Sequence, residues 1–252
     1  MSPAQTLVTK YIKQQIRCAV WQRLHETGAD RFPWAYGRIP NFVGADEAAL
    51  TLSYQSAWIR ARSVFINPDV AQYGVRRLAL AAGKTVVMAV PKLAGVRPFV
   101  ILRPWELQAW ALADAAGIPG ALRLGVPATA AELPVLDLMV VGCVAVDPDG
   151  ARLGKGGGYS DTAYEWVTKR LIPGALIATT IHADQMLPSG RIPMTDHDVP
   201  IDIVAEPRRC TYTHTSYPRP FCHLEALRAE SAARICVTPK PKHEVGSVRL
   251  AR

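Results

Sequence analysis

Between residues 5 and 25 apolar side chains return every three to five positions: Leu7, Ile12, Ile16, Val20 and Leu24, with Tyr11, Cys18 and Trp21 widening the same face. That period predicts an amphipathic helix. Lys13 and Arg17 lie four apart, so both cationic heads project from one side of it. A Pro/Trp-rich connection follows, FPWAYGRIPNF at 32–42, and then a second helical stretch over about 45–61. From there the pattern alternates. Short apolar runs at 63–66, 85–90 (TVVMAV), 99–102, 175–181 and 201–205 predict strands, and 71–82, 105–116 and 162–171 predict helices, the second closed by Gly117 and Pro119. DLMVVGCVAV at 137–146 is apolar without a break, as a central parallel strand covered on both faces would be. The order predicts an α/β fold, an open, mostly parallel sheet with helices on both faces. Trp105 and Trp110 read as core or sheet-covering side chains, and Cys143, inside the long apolar run, as packing.

Composition narrows the class. The chain has 252 residues, 49% of them hydrophobic and 20% charged, which excludes disorder, collagen and coiled coil. Net charge is +8, and the excess is uneven: residues 203–252 carry nine Lys/Arg against four Asp/Glu. With Pro and basic residues rising past Glu206, the expected division is an α/β domain at 1–205 and a basic, Pro-containing extension at 206–252. The extension has the charge of a nucleic-acid arm but no aromatic-basic interleaving, so it reads as a solvated tail and nucleic acid is not expected as a partner. Cys210, His214, Cys222 and His223 fit no zinc-finger spacing. Five cysteines without a CxxC pair suit a reduced, cytoplasmic chain. The first twenty residues lack an export signal, and the longest apolar run is far shorter than the roughly 20 residues of a membrane span, so no membrane partner is expected. The pattern leaves the oligomeric state undetermined.

Candidate chemistry concentrates in DPDGARLGKGGGYSD, 147–161. The apolar run ends at Val146, Pro148-Asp149-Gly150 turns the chain, and a glycine-rich loop then opens a helix. Gly154, Gly156, Gly157 and Gly158 surround Lys155. Glycines let successive N–H groups point at one anion, and a helix N-terminus adds partial positive charge. Arg152 and Lys155 can neutralise phosphates, and Asp161 can hold a divalent cation that bridges them. The Walker A pattern is absent, and a dinucleotide fingerprint would follow the strand directly, whereas Gly154 lies eight positions beyond Val146. A flexible surface hairpin is the other explanation of such a glycine cluster. His182 and Asp184, just past the predicted strand 175–181, sit where ligands bind in open α/β sheets; a histidine satisfied by backbone is the simpler reading. No GxSxG, HExxH or CxxC occurs, so the groups on offer are cations, backbone amides and carboxylates.

RLGKGGGYSD at 152–161 resembles the RLGxGxGYYD signature of the 5-formyltetrahydrofolate cyclo-ligase (methenyltetrahydrofolate synthetase) family. The resemblance extends over about 200 residues: Lys13-x-x-x-Arg17 with Trp21, Leu124-Gly125-Val126-Pro127, Asp137-Leu138, and Ile192-Pro193 with His197-Asp198 and Asp202 match further family blocks in order. It implies a fold like that of ribose-phosphate isomerases and CoA transferases, with ATP and Mg²⁺ as cofactors and a reduced folate as the small-molecule substrate. In that chemistry the formyl oxygen of 5-formyltetrahydrofolate attacks the γ-phosphate of ATP. The neighbouring amine then closes the ring, releasing phosphate and giving 5,10-methenyltetrahydrofolate. Carried over by position, Lys13 and Arg17 contact the nucleotide phosphates, Arg152 and Gly154 to Tyr159 form the loop shared by nucleotide and folate, Asp161 and Asp198 bind magnesium, and Lys155 and Arg152 act in catalysis.

The chain departs from the signature at two places in the loop. Ser160 replaces the second Tyr and Thr162 the Arg that commonly follows the Asp. INPDVAQYGVRRL at 66–78 lacks the Glu of the family's folate pocket, for which Asp69 or Gln72 are the stand-ins. RIPNF at 38–42 and GKGxGYxD resemble a divergent branch, the methenyltetrahydrofolate synthetase domain-containing proteins. The alternative this opens is a paralogue that binds ATP but acts on another small heterocycle, such as a thiamin-related one, or lacks cyclo-ligase turnover.

Overall fold

The computed structural model describes residues 3–220. A long helix, α1 (Pro3–Glu26), leads through a two-stranded ribbon, β1 (Asp30–Arg31) and β2 (Asn41–Phe42), to α2 (Ala45–Ser53) and α3 (Ser56–Arg60). Then come β3 (Ser63–Ile66), α4 (Tyr73–Ala81), β4 (Thr85–Ala89), β5 (Phe99–Leu102), α5 (Leu112–Ala115), α6 (Ile118–Leu124) and β6 (Val126–Ala128). The chain continues as β7 (Leu136–Val140), β8 (Ala145–Val146), β9 (Arg152–Leu153), α7 (Tyr159–Val167), β10 (Leu171–Thr180), β11 (Ile203–Ala205) and β12 (Cys210–Tyr212).

Eight strands form one sheet in the order β12-β11-β10-β7-β3-β4-β5-β6. The central neighbours β11, β10, β7, β3 and β4 run parallel, and β12, β5 and β6 add antiparallel edges. Each central strand alternates between two buried faces, which explains the unbroken apolar runs. Val64, Ile66, Val86, Met88 and Leu138 pack under α2 to α6, with Leu52, Trp58, Val75 and Leu80. Phe65, Val87, Met139 and Ile177 face the other way, toward Tyr164 and Val167 of α7. A third cluster joins Val20, Trp21 and Leu24 of α1 to Phe42, Ala145 and Leu153. No helix among the described residues is long and apolar enough to cross a membrane.

Several expectations change. The apolar run at 137–146 is two strands: it leaves the sheet after Val140, and Ala145–Val146 pair antiparallel with Arg152–Leu153. Gly142 makes the departure possible, since a β-carbon there would lie 2.7 Å from Ile39 and 2.9 Å from Gln72. Residues 105–116 are not one helix but two 3₁₀ turns, Pro104–Glu106 and Ala109–Ala111, before α5. Trp105 and Trp110 are 66% and 79% exposed, because Leu107, Leu112 and Ala115 take the places against the core. The second helical stretch breaks between α2 and α3.

In α1, Leu7, Tyr11 and Ile12 are exposed, and the inward side is Lys13, Arg17, Val20, Trp21 and Leu24. The division expected near Glu206 falls inside the sheet, since β12 pairs with β11. Cys222 and His223 lie outside the described residues. Cys143 is buried against Thr179, and burial pushes its thiol up to about 11.

Candidate active site

Beyond β3 the chain goes to β4 on one side of it, whereas beyond β7 it goes to β10 on the other. Open α/β sheets bind ligands at such a reversal, outside the carboxyl ends of the strands. A cavity of about 380 Å³ lies there. Its walls are the segment after β3 (Asn67, Asp69, Val70), the segment after β4 (Val90, Lys92, Leu93), the glycine loop, and Pro33, Arg38 and Ile39 from the amino-terminal connection. Lys92 and Leu93 both have positive φ, 61° and 51°, so this wall turns sharply without glycine.

The glycine loop is carried by the hairpin β8–β9. Asp147 closes its turn: Oδ1 accepts the N–H groups of Asp149 and Ala151, and Gly150 takes φ 87°. The chain then runs through Gly154–Gly158 into α7. Gly156 has φ 99°, and a β-carbon on it would lie 3.3 Å from the guanidinium carbon of Arg17. At Gly157 a β-carbon would meet the Tyr159 ring at 2.7 Å. Gly158, the residue before α7, has φ 68° and offers no side-chain cap. The first intrahelical bond there is Thr162 N–H to Gly158 C=O, so the leading N–H groups of α7 stay available beside the cavity.

Arg17 Nε donates to Gly154 C=O at 2.7 Å, across 137 residues. Burial holds its pKa below the usual arginine value, against the opposing pull of Asp198. One turn earlier, Lys13 Nζ lies 2.5 Å from Asp198 Oδ2, which also accepts the N–H and hydroxyl of Thr195, each at 2.7 Å. Both basic residues are only 9% exposed. An amphipathic helix that buries two cations this way is held by their partners as well as by hydrocarbon. Arg152 is buried too; it donates to Val199 C=O, Gly142 C=O and Asp161 Oδ1. Asp161 Oδ1 further accepts Val199 N–H at 3.3 Å, which ties α7 to the residue after Asp198. Lys155 stands at the mouth, its ammonium 3.2 Å from Asp69 Oδ1.

The fold thus gathers Lys13, Arg17, Arg152, Gly154, Lys155, Gly156, Gly157, Gly158, Tyr159, Asp161 and Asp198 around one loop. They do not all share one wall. Arg152, Gly154, Lys155, Gly157, Gly158, Tyr159 and Asp161 line the cavity, while Lys13, Arg17 and Asp198 lie outside its wall, on the helix α1 side of the loop. Of the two stand-ins for the missing Glu, Asp69 reaches the cavity, whereas Gln72 is fully buried with its amide on Thr180. His182 Nδ1 accepts Asp184 N–H at 3.2 Å, and Arg23 and Thr27 of α1 claim the Asp184 carboxylate. Burial pushes that carboxyl up, but the bonds from Thr27 and Arg23 outweigh it and hold it below the usual range.

Sequence reasoning missed Asn67, Arg38 and Lys92 as wall residues. Asn67 Nδ2 donates to Ser160 Oγ at 2.8 Å, which gives the departure at Ser160 a structural partner. The position of Asn67 immediately after a predicted strand was the available signal.

The carboxylates test the fit of magnesium. Among the described residues no group of three or more His, Cys, Asp or Glu could cage an ion. Mg²⁺ is commonly held by one or two carboxylates together with substrate phosphates, and Asp161 on the cavity wall suits that arrangement. Asp198 Oδ2 accepts from Lys13 and Thr195, and Asp198 is not among the residues that line the cavity.

The model of the 5-formyltetrahydrofolate cyclo-ligase family matches residues 9–207. The chain is 32% identical over 211 residues to a methenyltetrahydrofolate synthase domain-containing protein of Mus musculus, a match covering 82% of this chain and 57% of the relative. With the Homo sapiens protein of the same name it is 30% identical over 215 residues, covering 83% and 55%. The chain therefore spans a little over half the length of these relatives. An NMR structure of the Aquifex aeolicus 5,10-methenyltetrahydrofolate synthetase shares the fold, with a TM-score of 0.50 and 18% identity over 84% of this chain and 98% of that one. The chain belongs to the 5-formyltetrahydrofolate cyclo-ligase family.

Proposed function

Proceeding from that membership, we propose that the chain catalyses the ATP- and magnesium-dependent closure of 5-formyltetrahydrofolate to 5,10-methenyltetrahydrofolate, with release of ADP and phosphate. The observation that supports this best is the loop 154–158, backed by Arg17 on one side and opening on the other into a cavity at the carboxyl ends of the strands. Transfer of a phosphoryl group to an oxygen already on the substrate needs positioning and charge neutralisation rather than an enzyme nucleophile. The uncapped N–H groups of α7 and the loop amides bind phosphate oxygens. Lys13 and Arg17 exchange their present acceptors for phosphate, and Lys155 leaves Asp69 to meet the transferring group. Arg152 fixes Asp161, which would hold Mg²⁺ on the phosphates; the ion supplies further neutralisation of their charge. Val90, Leu93 and Tyr159 form apolar wall for a flat heterocycle, with Asn67 and Asp69 as its polar contacts.

The experiment is optical: 5-formyltetrahydrofolate, ATP and magnesium are mixed with the protein and methenyltetrahydrofolate absorbance is followed. Lys155→Ala and Arg17→Ala should each slow turnover by about 10²–10³-fold, the usual effect of deleting one charge-stabilising donor. Full activity in both variants removes these residues from the account.

A second reading keeps the nucleotide and changes the other substrate. It is favoured by the polar wall, where Ser160 is bonded to Asn67 and the Asp69 carboxylate is paired with Lys155. No optical signal, combined with magnesium-dependent thermal stabilisation by ATP, selects a paralogue acting on another small heterocycle. Neither effect selects a family member without turnover.

A further inference from the structure

Arg76 of α4 is 1% exposed and lies outside the cavity wall. Its Nε donates to Ala116 C=O at 2.6 Å, and its Nη1 donates to the carbonyls of Asn67 and, at 3.1 Å, Asp69. No carboxylate forms an ion pair with it among the described residues. Burial lowers its pKa to about 10, against the opposing pulls of Asp69 and Tyr73. A guanidinium stripped of water this completely is an expensive way to fill core volume, because hydrocarbon of similar size serves packing as well or better. What hydrocarbon cannot do is hold three carbonyls at once, a task suited to a rigid planar fork of five N–H groups.

The three carbonyls belong to segments that matter to the cavity. Asn67 and Asp69 flank Pro68 where the chain leaves β3, and their side chains reach the first turn of α7 and the glycine loop: Asn67 to Ser160 and Asp69 to Lys155. Ala116 lies two residues before Ile118, which lines the cavity from the start of α6. The guanidinium therefore sits behind two walls and fastens one to the other.

We propose that Arg76 is a positioning residue, a buried cationic staple that fixes the Asn67–Asp69 wall and the amino end of α6 in the geometry that receives the non-nucleotide substrate. The assignment rests on the proposed function for the identity of that substrate, but the wall-fixing itself does not. Lysine in its place keeps charge and much of the volume but presents a point cation rather than a fork. Methionine keeps volume alone.

The test uses the full chain with Arg76→Met and Arg76→Lys. In the folded variants, amide hydrogen exchange at Asn67, Asp69, Val70, Gly117 and Ile118 should accelerate by roughly tenfold or more while strands β3, β4 and β7 keep their protection, the signature of local opening. Affinity for 5-formyltetrahydrofolate, read by tryptophan fluorescence, should weaken about 10- to 100-fold, as misplacing a binding wall by an ångström does. ATP affinity, set on the other side of the loop, should hold within about threefold, and Arg76→Lys should recover part of the loss. A folded variant with unchanged exchange at Asn67, Asp69 and Val70, or with protection lost evenly across the sheet, overturns the proposal. If Arg76→Met fails to fold, the same measurement on Arg76→Lys decides. A wild-type protein that binds no reduced folate refutes the proposed substrate, and the exchange pattern then still decides for or against the staple.

Discussion

Gly156→Ala separates the phosphate cradle from an ordinary surface turn. Gly156 has φ 99°, a region that alanine occupies at a cost of about 1–3 kcal/mol. At roughly 2–4 °C per kcal/mol for a domain of this size, melting should fall by about 2–12 °C. The new β-carbon would also stand 3.3 Å from Arg17 Cζ and 3.4 Å from its Nη1, closer than ordinary packing, so the guanidinium must shift aside. The shift displaces the cation that, on the proposed function, leaves Gly154 C=O to bond a nucleotide phosphate. A hydrogen bond to a charged group is worth about 1.5–3 kcal/mol, which converts to a loss of roughly 10- to 150-fold in ATP affinity. Gly83→Ala is the matched control: φ is 74° there, nothing lies within 4 Å of the new β-carbon, and the site is far from the loop in sequence. Calorimetric titration with magnesium-ATP and thermal melts of both variants supply the comparison. Similar losses of melting temperature with affinity lost in Gly156→Ala alone are expected. Equal ATP affinity in the two variants would show that Arg17 and the loop do not form one nucleotide site.

Lys13→Met should destabilise the fold by up to about 3 kcal/mol in urea titrations, because Asp198 keeps a mostly buried charge without the ammonium bonded to it. Lys13→Met combined with Asp198→Asn should recover part of that loss. Alkaline stability carries a cysteine signature. Burial raises the native Cys143 thiol to about 11 from its ordinary value of 9.0, so above pH 9 the unfolded chain loses its proton first. The native state then binds more protons, and stability falls as pH rises through that window, by at most about 1.4 kcal/mol per unit. Cys143→Val should flatten the limb relative to wild type in denaturant melts at pH 8 to 10; identical slopes would remove Cys143 as the cause. Trp110→Ala should leave stability within about 0.5 kcal/mol, as exposed positions do, and should remove a tryptophan readily quenched by acrylamide.

How much was legible depended on whether the signal was local. The strands at β3, β4, β5, β10 and β11 were readable because short apolar runs between turn residues have few other homes. The break inside 137–146 was not, since the need for glycine at Gly142 arises from Ile39 and Gln72, distant in sequence, which crowd the place where a side chain would sit. Residues 105–116 carry helical spacing, yet Pro104 and two 3₁₀ turns divide them and the indoles end in solvent. The glycine loop was legible as a loop that opens a helix, because glycine at Gly156 and Gly158 answers a local need for positive φ.

By itself the sequence determined the α/β class, the family, and the identities of the residues around the loop, all properties of pattern and residue type. Only the tertiary structure decided how those residues are divided. It turned the charged side of α1 inward, gave Asp198 to Lys13 and Asp161 to Arg152, and set Arg17 behind the loop whose other side faces the cavity. It also brought Asn67 to Ser160 and put Arg76 behind the wall they share. The physical reason is burial: a charge taken out of water must find a partner, and that partner is fixed by which distant segments the sheet brings alongside, not by neighbours along the chain.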